Sequence, residues 1–323
     1  MDHGAVTPAA AALAALVFGL ASGDPTAGLR GSPAERNRAL HELHALGRSL
    51  GTPYLLPLFG DAAPVVRADA CVGAAELGGP FLEGRVRAAL HDADLDVRAA
   101  CVRTATLLGD RAAAGELASL LRDDPSPLLR ADAARALASV GEPSRLDALG
   151  AAAGRDPDAR VRCACVEAIA KLGLASPSRA ARALRAKGAR GSCGLRGVAT
   201  AAGFGDRRSV RELKDILRRG PRDERLETVS SLAPVPKTWA GDLLVAALRD
   251  DDPLLRLAAA EALRSRGDPR GVEFLVRAAP VAEPAFAARV ERALAASGVT
   301  DAQRATLLAS PPSPGVAAAL ARR

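Results

Sequence analysis

The chain has 323 residues, a formal net charge of +7 and 49% hydrophobic residues, yet only 2% aromatics. Its apolar mass is mainly Ala, Leu and Val, a supply suited to helices and poor in the aromatic residues that long strands use, which argues against a sheet-based fold. Five cysteines (Cys71, Cys101, Cys163, Cys165 and Cys193) are odd in number and unevenly spaced, which argues against a disulfide framework and for a reducing compartment.

The first segment of note is PAAAALAALVFGLASG, residues 8–23, preceded by Asp2 and by no Lys or Arg. It lacks the positive n-region of a secretory signal and is too short and Ala-rich for a membrane span. It is read as a first buried helix, in a chain with no transmembrane segment and a cytoplasmic location. The Ala, Gly and Arg bias suits a GC-rich bacterial genome.

Near-copies of one motif then follow: DAAPVVRADACVGAAELG (61–78), DADLDVRAACVRTATLLG (92–109), DPSPLLRADAARALASVG (124–141), DPDARVRCACVEAIAKLG (156–173) and DDDPLLRLAAAEALRSRG (250–267). Aligned on the closing residue, they fall into a register of Gly47, Gly78, Gly109, Gly141, Gly173, Gly205, Pro236, Gly267 and Gly298, spaced by 31 or 32 positions. Nine units result. Each reads as a first helix, a Pro-, Asp- or Ser-marked restart, and a second helix closed by Gly, as in RAAAGELASLLRDD followed by LLRADAARALASVG. Eight residues before each marker stands Ala39, Ala70, Cys101, Ala133, Cys165, Gly197, Thr228, Ala259 or Val290, a column of mostly small side chains suited to close helix contact. Cys101 and Cys165 are read there as small apolar fillers. Cys163 and Cys165, two apart on a helix, are poorly placed to chelate together.

A charge column runs beside this one. Asp61, Asp92, Asp124, Asp156 and Asp250 each stand six residues before Arg67, Arg98, Arg130, Arg162 and Arg256. We read the pairs as an internal ladder in which the acid caps the start of the second helix and the guanidinium bridges neighbouring units. A lone helical pair cannot bury its apolar face, so the expected fold is all-α: a single right-handed superhelical solenoid of helical hairpins over 1–323, with 299–323 as a C-terminal cap.

The motif D-x(4)-[VL]-R-x-x-A-x-x-A-L-x-x-[LV]-G, met by Asp124, Leu129, Arg130, Ala133, Ala136, Leu137, Val140 and Gly141, resembles the HEAT-like repeats of phycobilin-lyase-like bacterial proteins. Asp156, Val161, Arg162, Ala168, Leu172 and Gly173 follow it too, with Cys165 and Ile169 as departures. The resemblance spans residues 8–298 and is weak in the units ending at 47, 205, 236 and 298. It implies architecture; members of the group are lyase subunits, adaptors and scaffolds, and an activity would transfer by fold analogy alone.

The array breaks its own pattern after Gly173. Gly188 and Gly194 replace the ladder pair in one unit, and Arg219 stands in place of the acid before Arg225 in the next. From Lys171 to Arg225 there are 15 Lys or Arg and 5 Asp or Glu, a local excess of +10 in a chain of +7. Within DRRSVRELKDILRRG, the side chains of Arg207, Arg211, Lys214 and Arg218 share about 60° of a helical wheel, opposite Leu213 and Ile216. Arg179, Arg182, Arg185, Lys187 and Arg190 add charge from the preceding unit.

Such a surface favours an anionic partner. The window holds Phe204 as its one aromatic and no recognition-helix or zinc-finger signature, so an acidic protein surface is favoured over nucleic acid. The curved inner surface, expected from the second helices with Arg103, Arg135, Glu167 and Glu261, is a second contact candidate.

Enzyme motifs are thin. His41 and His44 lie three apart without a third ligand, and no cofactor or metal site is expected. The Gly194–Gly197 and Gly203–Gly205 stretches lack the strand and Lys-Ser/Thr ending of a phosphate loop. Trp239 and Tyr54 stand almost six units apart, unlike a base-extruding pocket. The reading is a scaffold or adaptor, monomeric on its own, with a basic contact patch; a nucleic-acid-binding repeat protein and a lyase-like enzyme or subunit are the alternatives.

Overall fold

The computed structural model describes residues 26–185, 193–278 and 292–293. The expected first helix at 8–23, the C-terminal cap at 299–323, Gly298, Val290, Lys187 and Arg190 lie outside these residues.

Among the described residues the regular structure is helical throughout, with no strand. The helices are α1 (Pro33–Ala45), α2 (Gly47–Leu55), α3 (Pro64–Leu77), α4 (Pro80–Ala89), α5 (Leu95–Leu108), α6 (Ala114–Asp123), α7 (Pro127–Val140), α8 (Leu146–Arg155), α9 (Ala159–Leu172) and α10 (Pro177–Leu184) in a first compact unit, Met1–Lys187. A second unit, Gly188–Arg323, contains α11 (Gly194–Gly203), α12 (Arg207–Arg219), α13 (Arg222–Leu232), α14 (Thr238–Ala247), α15 (Pro253–Ser265) and α16 (Pro269–Ala278).

In both units helices alternate as hairpins. Odd-numbered helices are the second helices of the repeat, and each packs on the next: α3 on α5, α5 on α7 and α7 on α9 in the first unit, α11 on α13 and α13 on α15 in the second. This is the all-α stack of helical hairpins that the repeat register predicts.

The register has a backbone cause. Gly47, Gly78, Gly109, Gly141, Gly205 and Gly267 all have positive φ, the left-handed closure that lets the chain leave one helix and reverse into the next. Gly173 differs, ending α9 with φ −66° in the right-handed region. Between these points the small column is buried throughout, with Ala70, Cys101, Ala133, Cys165, Thr228 and Ala259 at 0% exposure. Larger side chains there would hold the second helices apart.

The Asp–Arg pairs build a ladder, with a geometry that corrects one detail. Arg67 donates through Nε and Nη2 to Asp92 of the next repeat at 2.7 and 2.8 Å, and through Nη1 to the Asp61 carbonyl at 2.8 Å. Arg98 repeats this with Asp124 at 2.8 Å and the Asp92 carbonyl at 2.9 Å, as does Arg130 with Asp156 at 2.8 and 2.9 Å and the Asp124 carbonyl at 2.9 Å. Arg30 adds a rung to Asp61 below them, and Arg225 pairs with Asp250 in the second unit. Among the described residues Arg162 and Arg256 make only backward bonds, to the carbonyls of Asp156 and Pro157 and of Asp250 and Asp251, the shortest at 2.8 Å.

The ladder aspartates are not the helix caps. Each accepts from the amide two residues on: Asp92 from Asp94, Asp124 from Ser126 and Asp156 from Asp158, at 2.8 to 2.9 Å. The caps are those next residues, Asp94, Ser126, Asp158 and, in the second unit, Asp252. The acid shapes the turn between the two helices through Oδ1, which also accepts from the neighbouring arginine, while Oδ2 accepts from that arginine as well.

The cysteines give a second correction. Cys71 on α3 and Cys101 on α5 form a disulfide with their Cα atoms 5.2 Å apart. They are 30 positions apart, close to one repeat, so stacking α3 on α5 sets them face to face. The odd cysteine count therefore gives no support for a reducing compartment. Cys165 does behave as a small filler: buried and free, its thiol is pushed up to about 12 by desolvation. Cys163 beside it is half-buried and not free.

Candidate functional site

The basic row stands on α12, the first helix of its hairpin. Gly205, at φ +95°, turns the chain out of α11, and Asp206 then caps α12 by accepting from the Ser209 amide at 3.1 Å and its hydroxyl at 2.6 Å. Leu213 is wholly buried in a cluster with Leu232, Leu244, Leu255 and Leu263, while Val210 and Leu217 pack half-buried along its margin. Gly220 ends the helix, its amide bonded to the Ile216 carbonyl at 2.7 Å, and Pro221 prevents continuation.

With Leu213 inward, the opposite face is set. Arg207, Arg211, Lys214 and Arg218 are all exposed on it, and none has an ion pair or side-chain hydrogen bond among the described residues. Arg208, Glu212, Asp215 and Arg219, also exposed, lie on the adjoining flank in mixed sign.

The neighbouring arginines are engaged. On α13, Arg222 bonds Asp252 and Arg225 bonds Asp250. Arg222 holds the Asp252 carboxyl below its ordinary value, with the Leu254 amide assisting. Near α16, Arg270 bonds Asp268 at 2.6 Å and lowers its carboxyl likewise. Arg266 donates to carbonyls of the turn after α13, including Leu232, Ala233 and Lys237 at 3.0 to 3.2 Å.

Of the other residues of the predicted patch, Arg179 and Arg182 lie in the first unit, and they differ from one another. Arg179 is bound to Asp147 at 2.7 Å and to the Ser144 carbonyl at 3.1 Å, whereas Arg182 is exposed. The Arg179 bond crosses 32 positions, so the pairing was visible in the repeat spacing only to a reader who already knew that α8 and α10 pack together.

Chemistry-bearing residues do not converge. His41 is exposed, and His44 Nδ1 stands 3.6 Å from Glu76 on the adjacent repeat. Among the described residues no three His, Cys, Asp or Glu side chains cluster to hold a metal ion. Trp239 packs half-buried on the core of the second unit, which gives it a structural role. No described helix is long and apolar enough to cross a membrane.

Stacked helical hairpins, a ladder of arginine–aspartate rungs and an exposed charged helix define a helical-repeat protein. A family model described as HEAT repeats matches residues 52–138, 82–170, 116–189 and 210–295, more than half of the chain. The chain belongs to the HEAT-repeat family. No curated protein matches its sequence. Among solved structures it is similar to human deoxyhypusine hydroxylase, with 21% identity, 81% of this chain and 98% of the other covered, and a TM-score of 0.35. It is similar to the CpcE–CpcF complex of phycocyanin lyase from Nostoc sp. PCC7120, at 15% identity, 91% and 96% coverage and a TM-score of 0.37. A third, YibA of Escherichia coli, has 17% identity, 80% and 96% coverage and a TM-score of 0.42. At these scores no function passes from them to this chain. The finer likeness to phycobilin-lyase-type repeats rests on the sequence signature alone.

Proposed function

We propose that this chain is a non-enzymatic protein-binding scaffold or adaptor and that Arg207, Arg211, Lys214 and Arg218 form its electrostatic contact row. One observation carries the reading. Carboxylates close by satisfy Arg222, Arg225 and Arg270, yet four cations of the adjacent helix share one exposed face with none of their own among the described residues. Uncompensated like charges repel and oppose folding slightly, so a row of them suits a partner that brings the opposite sign.

The test is a tagged pull-down from the native cell, with nuclease treatment in parallel, comparing the natural chain with R207E/R211E/K214E/R218E. The expected result is a protein partner that survives nuclease and is lost from the charge-reversed chain. A partner held equally tightly by both chains overturns the reading. So does retained material that vanishes with nuclease and whose direct binding falls steeply with salt, the behaviour of phosphate contacts.

A further inference from the structure

We propose that the partner element for the basic row is itself an α-helix, laid along α12 with carboxylates at positions i, i+4, i+7 and i+11. The inference rests on the contact-row reading above and names the geometry that the row selects.

The row is straight, narrow and helically spaced. Its members stand at intervals of four, three and four residues, so at 1.5 Å per residue the cations extend over about 16 Å along α12. A second helix with acids at the same intervals meets all four at once, because both helices share one pitch. An extended acidic strand rises about 3.3 Å per residue and turns alternate side chains away, so its carboxylates do not keep this spacing. A nucleic-acid duplex carries one charge per about 1.7 Å on a broad curved surface, which a single line of four cations engages only in part.

Each flank of the row narrows the choice further. On one side Val210 and Leu217, half-buried against the core, border the cations with apolar surface. On the other, exposed Glu212 and Asp215 repel an acid that slips sideways. The occupant that suits both edges is an amphipathic helix with an acidic stripe and apolar residues beside it on one side only. Arg208 and Arg219 share the flank of Glu212 and Asp215, so an acid displaced that way meets both signs and gains no continuous row.

Two synthetic alanine-rich peptides of about 18 residues, long enough to hold a helix, test this against the full chain. Both carry four Glu and two Leu. In one the Glu occupy i, i+4, i+7 and i+11; in the other the same residues are scattered around the helix, with matched helicity checked by circular dichroism. At low salt the matched peptide is expected to bind at least about tenfold more tightly, the sum of several weak surface pairs made together. That advantage is expected to disappear in R207E/R211E/K214E/R218E, whose helical content and unfolding midpoint are measured alongside to establish that it is folded.

Equal binding of the two peptides, with both lost in the charge-reversed chain, overturns the helix register and leaves the acidic-surface reading standing. Binding of neither peptide, or binding unchanged by charge reversal, overturns both.

Discussion

Two sets of arginines, one along the second helices of the first unit and one on a first helix of the second unit, are used in opposite ways. In the first, Arg67, Arg98 and Arg130 turn inward along the second helices, each shared between its own turn and the aspartate of the next repeat. In the second, Arg207, Arg211 and Arg218 stand with Lys214 on a first helix and face outward with no ion pair among the described residues. The residue type is the same; the position of aspartate in the repeat decides its use. Where Asp92, Asp124 and Asp156 occur, the arginine six residues on is structural. At the equivalent places the later repeats hold Gly188, Gly194 and Arg219. The division of the chain into compact units falls at 187/188, within this interruption.

The strongest way to break the contrast is to disarm one rung. The Asp124 side chain is 2% exposed and its partner Arg98 11%, so the pair itself adds little net stability while its disruption strands a buried carboxylate. Arg98→Ala is expected to cost about 3–5 kcal/mol, read by urea unfolding, with hydrogen exchange rising in α5, α6 and α7. A midpoint within error of the natural chain would show the ladder to be decorative.

Smaller and graded is the acid response of the same unit. Arg67, aided by the Asp94 amide, holds the Asp92 carboxyl below the usual carboxylate range. A folded value lowered in this way contributes stability that is complete above the ordinary carboxylate value and is lost as pH falls through the lowered one. Unfolding measured from pH 7 downward should therefore weaken from about pH 4. Asp92→Asn should flatten that slope; an unchanged slope would place the acid sensitivity elsewhere.

The smallest expected effect is on the other side of the comparison. Lys214→Ala removes an exposed cation without a described partner, so stability should move by no more than about 0.5 kcal/mol. A larger loss, measured in the same urea titration, would mean that the row is part of the structure and not a surface held for contact.

Much of this architecture was legible before any coordinates. At six markers, Gly47, Gly78, Gly109, Gly141, Gly205 and Gly267, the spacing reports where the backbone takes positive φ, and the column at Ala70, Ala133 and Ala259 reports where helices touch, because both follow from strict local geometry. The face of α12 was legible for the same reason, since one buried leucine and a constant pitch orient every other side chain. The ladder was half legible. Asp and Arg six apart are evident, but the forward bond from Arg67 to Asp92 spans 25 positions and depends on how far one hairpin is displaced over the next. The Cys71–Cys101 bond and the Arg179–Asp147 pair were missed for that same reason. Spacings of 30 and 32 in a 31- or 32-residue repeat were the available signal.

The forward bond also sets a schedule for a growing chain. When Arg67 leaves the ribosome, its own turn is complete, but the carboxylate it must grasp lies 25 residues further along the chain and has yet to emerge. At about 5–20 residues per second that wait is roughly one to five seconds. Nearly the same interval recurs at Arg98 and Arg130, each 26 residues ahead of its partner, so each of these three hairpins emerges unlatched and is secured by its successor.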